Sequence, residues 1–134
     1  LLEQEYPPEF YAPFAIDRYA LCFSCHVREM VLQPYGAGIT GFAQTTPDGL
    51  LNLHYVHVHK EKKGRTCRAC HEVHASQRPF HIRESVPFGD EGWSLEINFT
   101  QTLTGGKCAP ACHDPQSYSR PGSSTLPNAS EARP

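Results

Sequence analysis

The clearest alternation of apolar and polar positions lies in the second half of the chain. From residue 93 to residue 100 the odd positions are apolar and the even positions are polar, which is the period of a half-buried strand. The segment before it carries Phe80, Ile82 and Val86 and is joined to it through the turn Gly89-Asp90-Glu91-Gly92. The pattern therefore predicts a β-hairpin over these two segments.

A first helix is predicted around the most N-terminal pair of cysteines. Asp17 can cap a short helix that runs through Tyr19 and Leu21 to about Met30. Pro34 and the glycines between residues 36 and 41 then end it.

A second helix is predicted in the middle of the chain. Thr46-Pro47-Asp48 supplies a capping residue, a proline for the first turn and an early acid. The helix would run through the apolar and histidine-rich stretch and end at a basic turn followed by Gly64. A strand over residues 55–59 is the competing interpretation, because His57 and His59 would then share one face.

The two ends differ in composition from the middle. Residues 1–16 are rich in proline and aromatic side chains, which predicts an extended arm or a solvated one. Residues 115–134 are rich in proline, serine and other small residues, which predicts a flexible tail. Residues 17–114 then form the main domain.

Three short motifs use all the cysteines of the chain. Each motif places a histidine directly after its second cysteine, and Cys-x-x-Cys-His is the attachment signature of c-type haem. Two motifs have two residues between the cysteines, and the third has three. The predicted thioether cysteines are Cys22, Cys25, Cys67, Cys70, Cys108 and Cys112. We therefore expect three covalently bound c-type haems as cofactors.

Zinc and disulfides are the alternatives for these cysteines. A zinc ribbon usually separates its two Cys-x-x-Cys units by 15 to 20 residues, and here the gap is roughly twice that. Three disulfides would not require a histidine beside any cysteine. Histidine makes up 8 of 134 residues, so three adjacent histidines in three motifs have a chance probability on the order of one in several thousand. Covalent haem attachment is therefore the favoured interpretation of the three cysteine motifs.

Composition and charge fit a small protein built around cofactors. The chain is 39% hydrophobic and contains 12 prolines and 10 glycines. We expect a fold of mostly irregular coil with a few short α-helices and a β-hairpin, wrapped around the three haems. The net charge of −2 argues against nucleic acid as a partner, and no apolar run is long enough for a membrane span. The first residues lack the pattern of a signal peptide, so the chain begins like a mature or processed form.

The histidines allow a ligand set to be proposed. His26, His71 and His113 follow the cysteines and are the predicted proximal ligands of the three irons. Five histidines remain, which favours closed bis-histidine haems. His71 and His74 are three residues apart and would lie on one side of a helix, so they cannot hold one iron from opposite faces.

The same spacing argument separates His54 from His57. The predicted distal ligands are therefore His54, His57 and His74, with His81 and His59 as reserves. Met30 is the only methionine and is assigned to core packing. A short segment that carries ligands of two haems would force the haems close together, and close haems exchange electrons quickly. The ligand pattern thus predicts an electron carrier without catalytic residues.

These motifs resemble those of multihaem c-type cytochromes with repeated Cys-x-x-Cys-His motifs. The resemblance rests on residues 67–76, on residues 53–57 and on the two outer attachment sites, and it covers roughly residues 20–115. The extra residue in the third motif departs from the family pattern. Three haems also match neither of the common small four-haem cytochromes.

The resemblance implies a function and a location. Cytochromes of this kind relay electrons in bacteria that respire metals and other extracellular acceptors, and some assemble into filaments. It implies an exported bacterial or archaeal protein of the periplasm or cell surface, with redox proteins or an extracellular acceptor as partners and self-association through a haem ligand shared between subunits. A small multihaem reductase with one open haem, or a docking subunit of a larger cytochrome complex, are the alternatives.

Overall fold

The computed structural model of the protein describes residues 5–36, 39–88 and 91–120. The described part contains short α-helices, 3-10 turns and short strands. The α-helices are α1 (Glu29–Leu32), α2 (Leu53–Val58) and α3 (Cys67–Cys70). The 3-10 turns are Ile16–Tyr19, Cys22–Ser24 and Pro79–His81. The strands are β1 (Tyr11–Ala12), β2 (Ala43–Thr46), β3 (Gly49–Asn52), β4 (Gly64–Arg65), β5 (Ser85–Phe88), β6 (Trp93–Glu96), β7 (Phe99–Gln101), β8 (Gly105–Cys108) and β9 (Gln116–Ser119).

The central part of the chain forms a hairpin where the sequence predicted the start of a helix. β2 and β3 pair antiparallel, with Thr46 opposite Gly49, so Pro47 and Asp48 form the two-residue turn. Gly49 has a φ of +125°, a conformation that favours glycine. The prediction of a helix beginning at Thr46 was wrong, because a proline, an aspartate and a glycine in succession also satisfy a tight turn.

The helix α2 begins later, at a cap that the sequence analysis did not identify. Asn52 accepts hydrogen bonds from the backbone N–H groups of His54 (3.0 Å) and Tyr55 (3.5 Å). Its amide donates to the carbonyls of Met30 and Gln33, both at 2.9 Å. Asn52 is buried, so one side chain starts α2 and fixes it against the end of α1. The alternative strand over residues 55–59 is also wrong, since α2 extends to Val58.

The first predicted helix is divided into three short turns. A 3-10 turn covers Ile16–Tyr19, another covers Cys22–Ser24, and α1 covers Glu29–Leu32. Ala15, rather than Asp17, is the residue that precedes the first turn. Three separate turns let the backbone change direction on both sides of the first cysteine motif, which a continuous helix would prevent.

A small core joins these elements. Tyr19, Val31 and Val58 are buried together, one from the first turn, one from α1 and one from α2. Six partly buried side chains pack against this cluster, and they are Phe14, Ile16, Cys22, Phe23, Met30 and Cys67. Met30 thus packs at the core, as the sequence predicted. Cysteines of the first two motifs lie at the edge of the core, beside the α2 helix.

The N-terminal segment is part of the folded domain. β1 pairs antiparallel with β4, with Tyr11 opposite Arg65 and Ala12 opposite Gly64. A Cβ atom on Gly64 would overlap the carbonyl oxygen of Val58 and lie 2.9 Å from that of Ala12. Gly64 is therefore required by a close backbone approach, and the prediction that it ends a helix was wrong because α2 has already ended at Val58.

The C-terminal half contains the predicted hairpin and one sheet that was not predicted. β5 and β6 pair antiparallel, with Val86 opposite Leu95. β6 ends at Glu96, and Asn98 takes a positive φ of 48° before β7 begins. β7, β8 and β9 form a three-stranded antiparallel sheet. Since β9 covers Gln116–Ser119, the prediction of a flexible tail from residue 115 was wrong for these residues, and the tail beyond residue 120 lies outside the described residues.

Candidate functional site

The helix α2 carries two histidines whose rings are fixed by hydrogen bonds. Nδ1 of His54 lies 3.1 Å from the hydroxyl oxygen of Thr40, and Nδ1 of His57 lies 2.7 Å from the carbonyl oxygen of Leu53. A hydrogen bond at Nδ1 orients the ring and leaves Nε2 as the nitrogen available to a ligand. Both side chains are therefore held with Nε2 directed away from their hydrogen-bond partners.

The segment after α3 carries the next two histidines on irregular backbone. His71 has extended dihedral angles directly after the last residue of α3, and His74 has a positive φ of 63°. The premise that His71 and His74 share one side of a helix was therefore wrong. Nδ1 of His71 lies 2.9 Å from the carbonyl oxygen of Phe80, a contact that the chain makes by folding residues 71–84 back on themselves through the bridge between His71 and Ile82.

Six of the eight histidines lie close to one another in three pairs. The ring centroids of His26 and His74 are 6.4 Å apart, with an interplanar angle of 6°. Those of His54 and His71 are 6.3 Å apart at 20°. Those of His57 and His113 are 6.4 Å apart at 45°. Each pair joins one histidine of a cysteine motif with one histidine outside the motifs.

These separations equal the spacing of two imidazoles on opposite sides of one metal ion. A bond from a metal to an imidazole nitrogen is about 2.0–2.1 Å and the nitrogen lies about 1.1 Å from its ring centroid, so the two centroids are about 6.3 Å apart. Direct stacking of two rings would bring the centroids closer, as in the 4.1 Å contact between Phe14 and His59. The three pairs are thus separated by the space that an axially ligated metal needs.

The three pairs differ in burial. His26, His74 and His113 are exposed, whereas His54, His57 and His71 are partly covered. Burial lowers the pKa of His54 to about 4, and the neighbouring His71 and His57 act in the same direction. Burial also lowers the pKa values of His57 and His71. These three imidazoles are therefore neutral at neutral pH, which is the form that binds a metal.

The two reserve histidines lie outside the pairs. Nδ1 of His59 lies 3.0 Å from the carbonyl oxygen of Val31, and its ring stacks between Phe14 and Tyr55 at centroid distances of 4.1 and 4.6 Å. His81 is exposed and its backbone has a φ of +56°. The structure therefore brings none of the motif histidines opposite either reserve residue.

The cysteine motifs meet one another in the fold. The neighbouring thiol of Cys67 lowers the pKa of Cys22 to about 7, and Cys22 in turn raises the pKa of Cys67. Burial raises the pKa of Cys70 to about 11, and its charged neighbours include Cys108 and Cys112 of the third motif. The second motif therefore lies between the first and the third. No two of the six cysteines are joined by a disulfide.

The residues present fit a haem in two respects. Two imidazoles from one pair would leave the remaining coordination positions of an iron to the four nitrogens of a porphyrin. Each pair includes a histidine that directly follows a cysteine able to form a thioether. Within residues 5–36, 39–88 and 91–120, no three His, Cys, Asp or Glu side chains are grouped to hold a metal ion by themselves.

Unpaired polar atoms accompany these sites. The hydroxyl of Tyr19, Nη1 of Arg65 and Nη2 of Arg120 are buried and have no hydrogen-bond partner among the described residues. Buried polar atoms without a partner are rare in folded proteins and call for an explanation. Two of the three lie close to cysteine motifs, since Tyr19 neighbours Cys22 and Cys67 and Arg65 donates to Sγ of Cys112 at 3.0 Å.

The sequence analysis missed several residues that organise the site. Asn52 was not predicted as the N-cap of α2, because Thr46-Pro47-Asp48 gave a stronger helix-start signal. An asparagine directly before a helical run is nevertheless itself a capping signal. Thr40 meets His54, and Arg65 meets Cys112, through tertiary contacts that leave no pattern in the local sequence.

The comparisons with known proteins return no relative. No protein-family model, no curated protein and no solved structure matches the chain. No helix in the part of the chain that the structure describes is long and apolar enough to cross a membrane.

Proposed function

We propose that the protein is an electron carrier with three covalently bound c-type haems, each ligated axially by two histidines. The observation that carries this proposal is the set of three histidine pairs at 6.3–6.4 Å. Each pair combines a histidine next to a candidate thioether cysteine with a histidine that is distant in the sequence. The haem iron supplies reversible one-electron chemistry when it is bound.

The proposed haems form a row, with the middle one attached at Cys67 and Cys70. The segment 71–74 carries His71 of the middle pair and His74 of the first pair. The helix α2 carries His54 of the middle pair and His57 of the third pair. Because each segment serves two neighbouring sites, the first and third sites both adjoin the second. Electrons would then pass along the row, and the exposed outer sites would exchange them with partners.

The protein's own groups set the conditions at each site. Hydrogen bonds at Nδ1 hold the imidazoles of His54, His57 and His71 in one orientation, so little rearrangement accompanies a change of charge at the iron. The partial burial of the middle pair limits the access of water to its site. Both effects favour fast electron transfer over ligand exchange.

The location and the partners are proposed from the motifs. Covalent haem attachment of this kind takes place on the outer side of the cytoplasmic membrane, which supports an exported protein. Redox proteins or an extracellular acceptor are the proposed partners. The three pairs lie within one chain, so one chain would be able to provide two histidines for each of three irons. A ligand shared between subunits is therefore not needed, and filament formation has no support from these sites.

Intact mass and absorption spectroscopy test the cofactor content. The protein would be produced in a bacterial host that attaches c-type haem and measured under denaturing conditions. We expect the mass of the chain plus three haems, a low-spin spectrum and reversible couples in a redox titration. A chain without covalent haem, or with zinc at its cysteines, would refute the proposal.

Single alanine substitutions test the ligand assignment. Replacing His54, His57 or His74 should each convert one of the three haems to the high-spin form. His59→Ala and His81→Ala are the matched controls, and both should leave all three haems low-spin. A wild-type protein that binds carbon monoxide at one iron would instead favour a reductase with an open site.

A further inference from the structure

Arg65 lies at the junction of the second and third cysteine motifs. Its backbone belongs to β4 and pairs with Tyr11 of β1. Its guanidinium carbon is 3.7 Å from the ring centroid of Tyr11 and 5.3 Å from that of Phe10. The cation thus contacts two aromatic rings of the N-terminal segment.

The charged and titratable groups around Arg65 belong to two candidate haem sites. Nη2 donates to Sγ of Cys112 at 3.0 Å. Arg65 is followed after one residue by α3, which carries Cys67 and Cys70 of the second motif. β4 also packs against α2, which carries His57 of the third pair. Arg65 thus lies beside both candidate sites.

The charge of Arg65 is not compensated by a carboxylate. Nη1 is buried without a hydrogen-bond partner. Arg68, Arg78 and Arg83 each have a glutamate within ion-pair distance, but no such pair involves Arg65 within the described residues. Arg65 is partly buried, and a partly buried cation without an anion is costly; contact with an aromatic face recovers only part of that cost.

Reduction of a nearby haem would lessen the repulsion that this cation meets. The oxidised iron–porphyrin core carries a net positive charge and the reduced core carries none, so a fixed cation close to the macrocycle stabilises the reduced form over the oxidised form. The effect is larger in partly buried surroundings than in water. A guanidinium without a carboxylate partner at this position is therefore repelled less in the reduced protein than in the oxidised one.

We propose that Arg65 raises the reduction potentials of the second and third haems relative to the first. This inference rests on the proposed function. Arg65 would act on the two haems through its positive charge and would not ligate either iron. Its effect would make electrons move from the site of His26 and His74 toward the two sites that adjoin the guanidinium.

A redox titration of substituted proteins tests this role, with small mediators as the electron donors and acceptors. Arg65→Gln removes the charge and keeps a polar side chain, and Arg65→Met replaces it with an apolar one in case the glutamine variant does not fold. Both substitutions should lower the reduction potentials of two of the three haems and leave the potential of the remaining haem unchanged. Arg65→Lys should restore most of the wild-type potentials, because it keeps the charge.

One further substitution assigns a redox couple to the first haem, and another controls for the loss of a positive charge at a different position. His74→Met marks the first haem, because a methionine ligand raises the potential of its own haem. The marked couple should be the one that Arg65→Gln leaves unchanged. Lys63→Gln removes an equal charge from an exposed residue of the preceding turn, and it should shift no couple.

Three results would overturn the inference or its basis. It is wrong if a variant without the Arg65 charge keeps three haems and unchanged potentials, since the role would then be structural. It is also wrong if the marked couple shifts as much as the other two. A wild-type protein without any haem couple would refute the proposed function itself, and the two failures are therefore distinguishable.

Discussion

The helix α2 and the segment 71–74 each carry two paired histidines, but they hold them by different means. In α2, a regular helical turn separates His54 from His57, and a buried cap fixes the start of the helix. In the segment 71–74, His71 is extended and His74 is left-handed. Both segments separate their histidines by three residues, and both direct them to two different partners.

The difference shows that equal sequence spacing does not imply equal local structure. A helix sends residues three positions apart to one side, and α2 then relies on two partners, His71 and His113, that come from different parts of the chain. The segment 71–74 reaches the same outcome through irregular backbone supported by a hydrogen bond from His71 to Phe80. Substitutions in the two segments should therefore have unequal consequences.

The largest contrast is expected between His54→Ala and His74→Ala. Each should leave one of the three proposed haems without a distal histidine and therefore high-spin. The position vacated by His54 is partly covered and adjoins Thr40, whereas that vacated by His74 is exposed. Added imidazole should therefore restore the low-spin spectrum faster in His74→Ala, as followed by stopped-flow absorption. Equal rates would show that the two sites are equally accessible.

The second contrast concerns the caps that begin α2 and α3. Asn52→Ala removes an N-cap and two hydrogen bonds to carbonyls, so it should lower the free energy of unfolding by about 2–4 kcal/mol. Thr66→Ala removes a buried cap of the helix before His71 and should cost about 1–2 kcal/mol.

Denaturant titration of the holoprotein measures both caps. Gln44→Ala removes an exposed side-chain amide from β2 and is the control, with an expected change below about 0.5 kcal/mol. A larger loss in Thr66→Ala than in Asn52→Ala would contradict the view that one side chain organises α2.

A smaller effect is expected from the ion pairs around the segment 71–74. Arg78 lies 3.2 Å from Glu72 and 2.9 Å from Glu84, and these side chains are substantially exposed. Exposed ion pairs contribute about 0.2–1 kcal/mol, so Arg78→Ala should lower the free energy of unfolding by no more than that. The difference from wild type should shrink further in high salt. A loss above 2 kcal/mol would mean that the ion pairs are less screened than their exposure indicates.

The smallest effect is expected from removing only the hydroxyl of Tyr19, in the core that joins the two segments. The hydroxyl is buried without a partner among the described residues, so Tyr19→Phe should be neutral or slightly stabilising near pH 7. Tyr19→Ala would open a cavity and cost about 3–5 kcal/mol. Destabilisation by the phenylalanine variant would show that the hydroxyl has a partner in the holoprotein.

The free energies of unfolding of the wild-type protein and of Tyr19→Phe should diverge in alkaline solution. Burial raises the pKa of Tyr19 from 10.0 to about 12. Between these values the native state holds a proton that the unfolded state releases, so this residue lowers the free energy of unfolding as the pH rises through the window. The phenylalanine variant lacks that contribution, and unfolding curves at pH 9 and pH 11 should show its relative stability increasing.

The local sequence patterns predicted some secondary-structure elements better than others. The alternation around residues 93–99 led to the hairpin of β5 and β6, because strand period and turn residues agree there. Thr46-Pro47-Asp48 failed because the same residues begin a helix or form a tight turn, and pairing of β2 with β3 decided between them. The short strand β9 could not be foreseen, since its stability comes from β8 rather than from its own side chains.

The sequence alone determined which side chains could carry chemistry, since spacing within a motif is a property of the chain. It indicated the six cysteines, the three adjoining histidines and the surplus of further histidines. Only the tertiary structure decided that His26 faces His74, that His54 faces His71 and that His57 faces His113. Partners 17 to 56 residues apart meet through the packing of turns, strands and a capped helix, and this packing has no signature in any single stretch of the sequence.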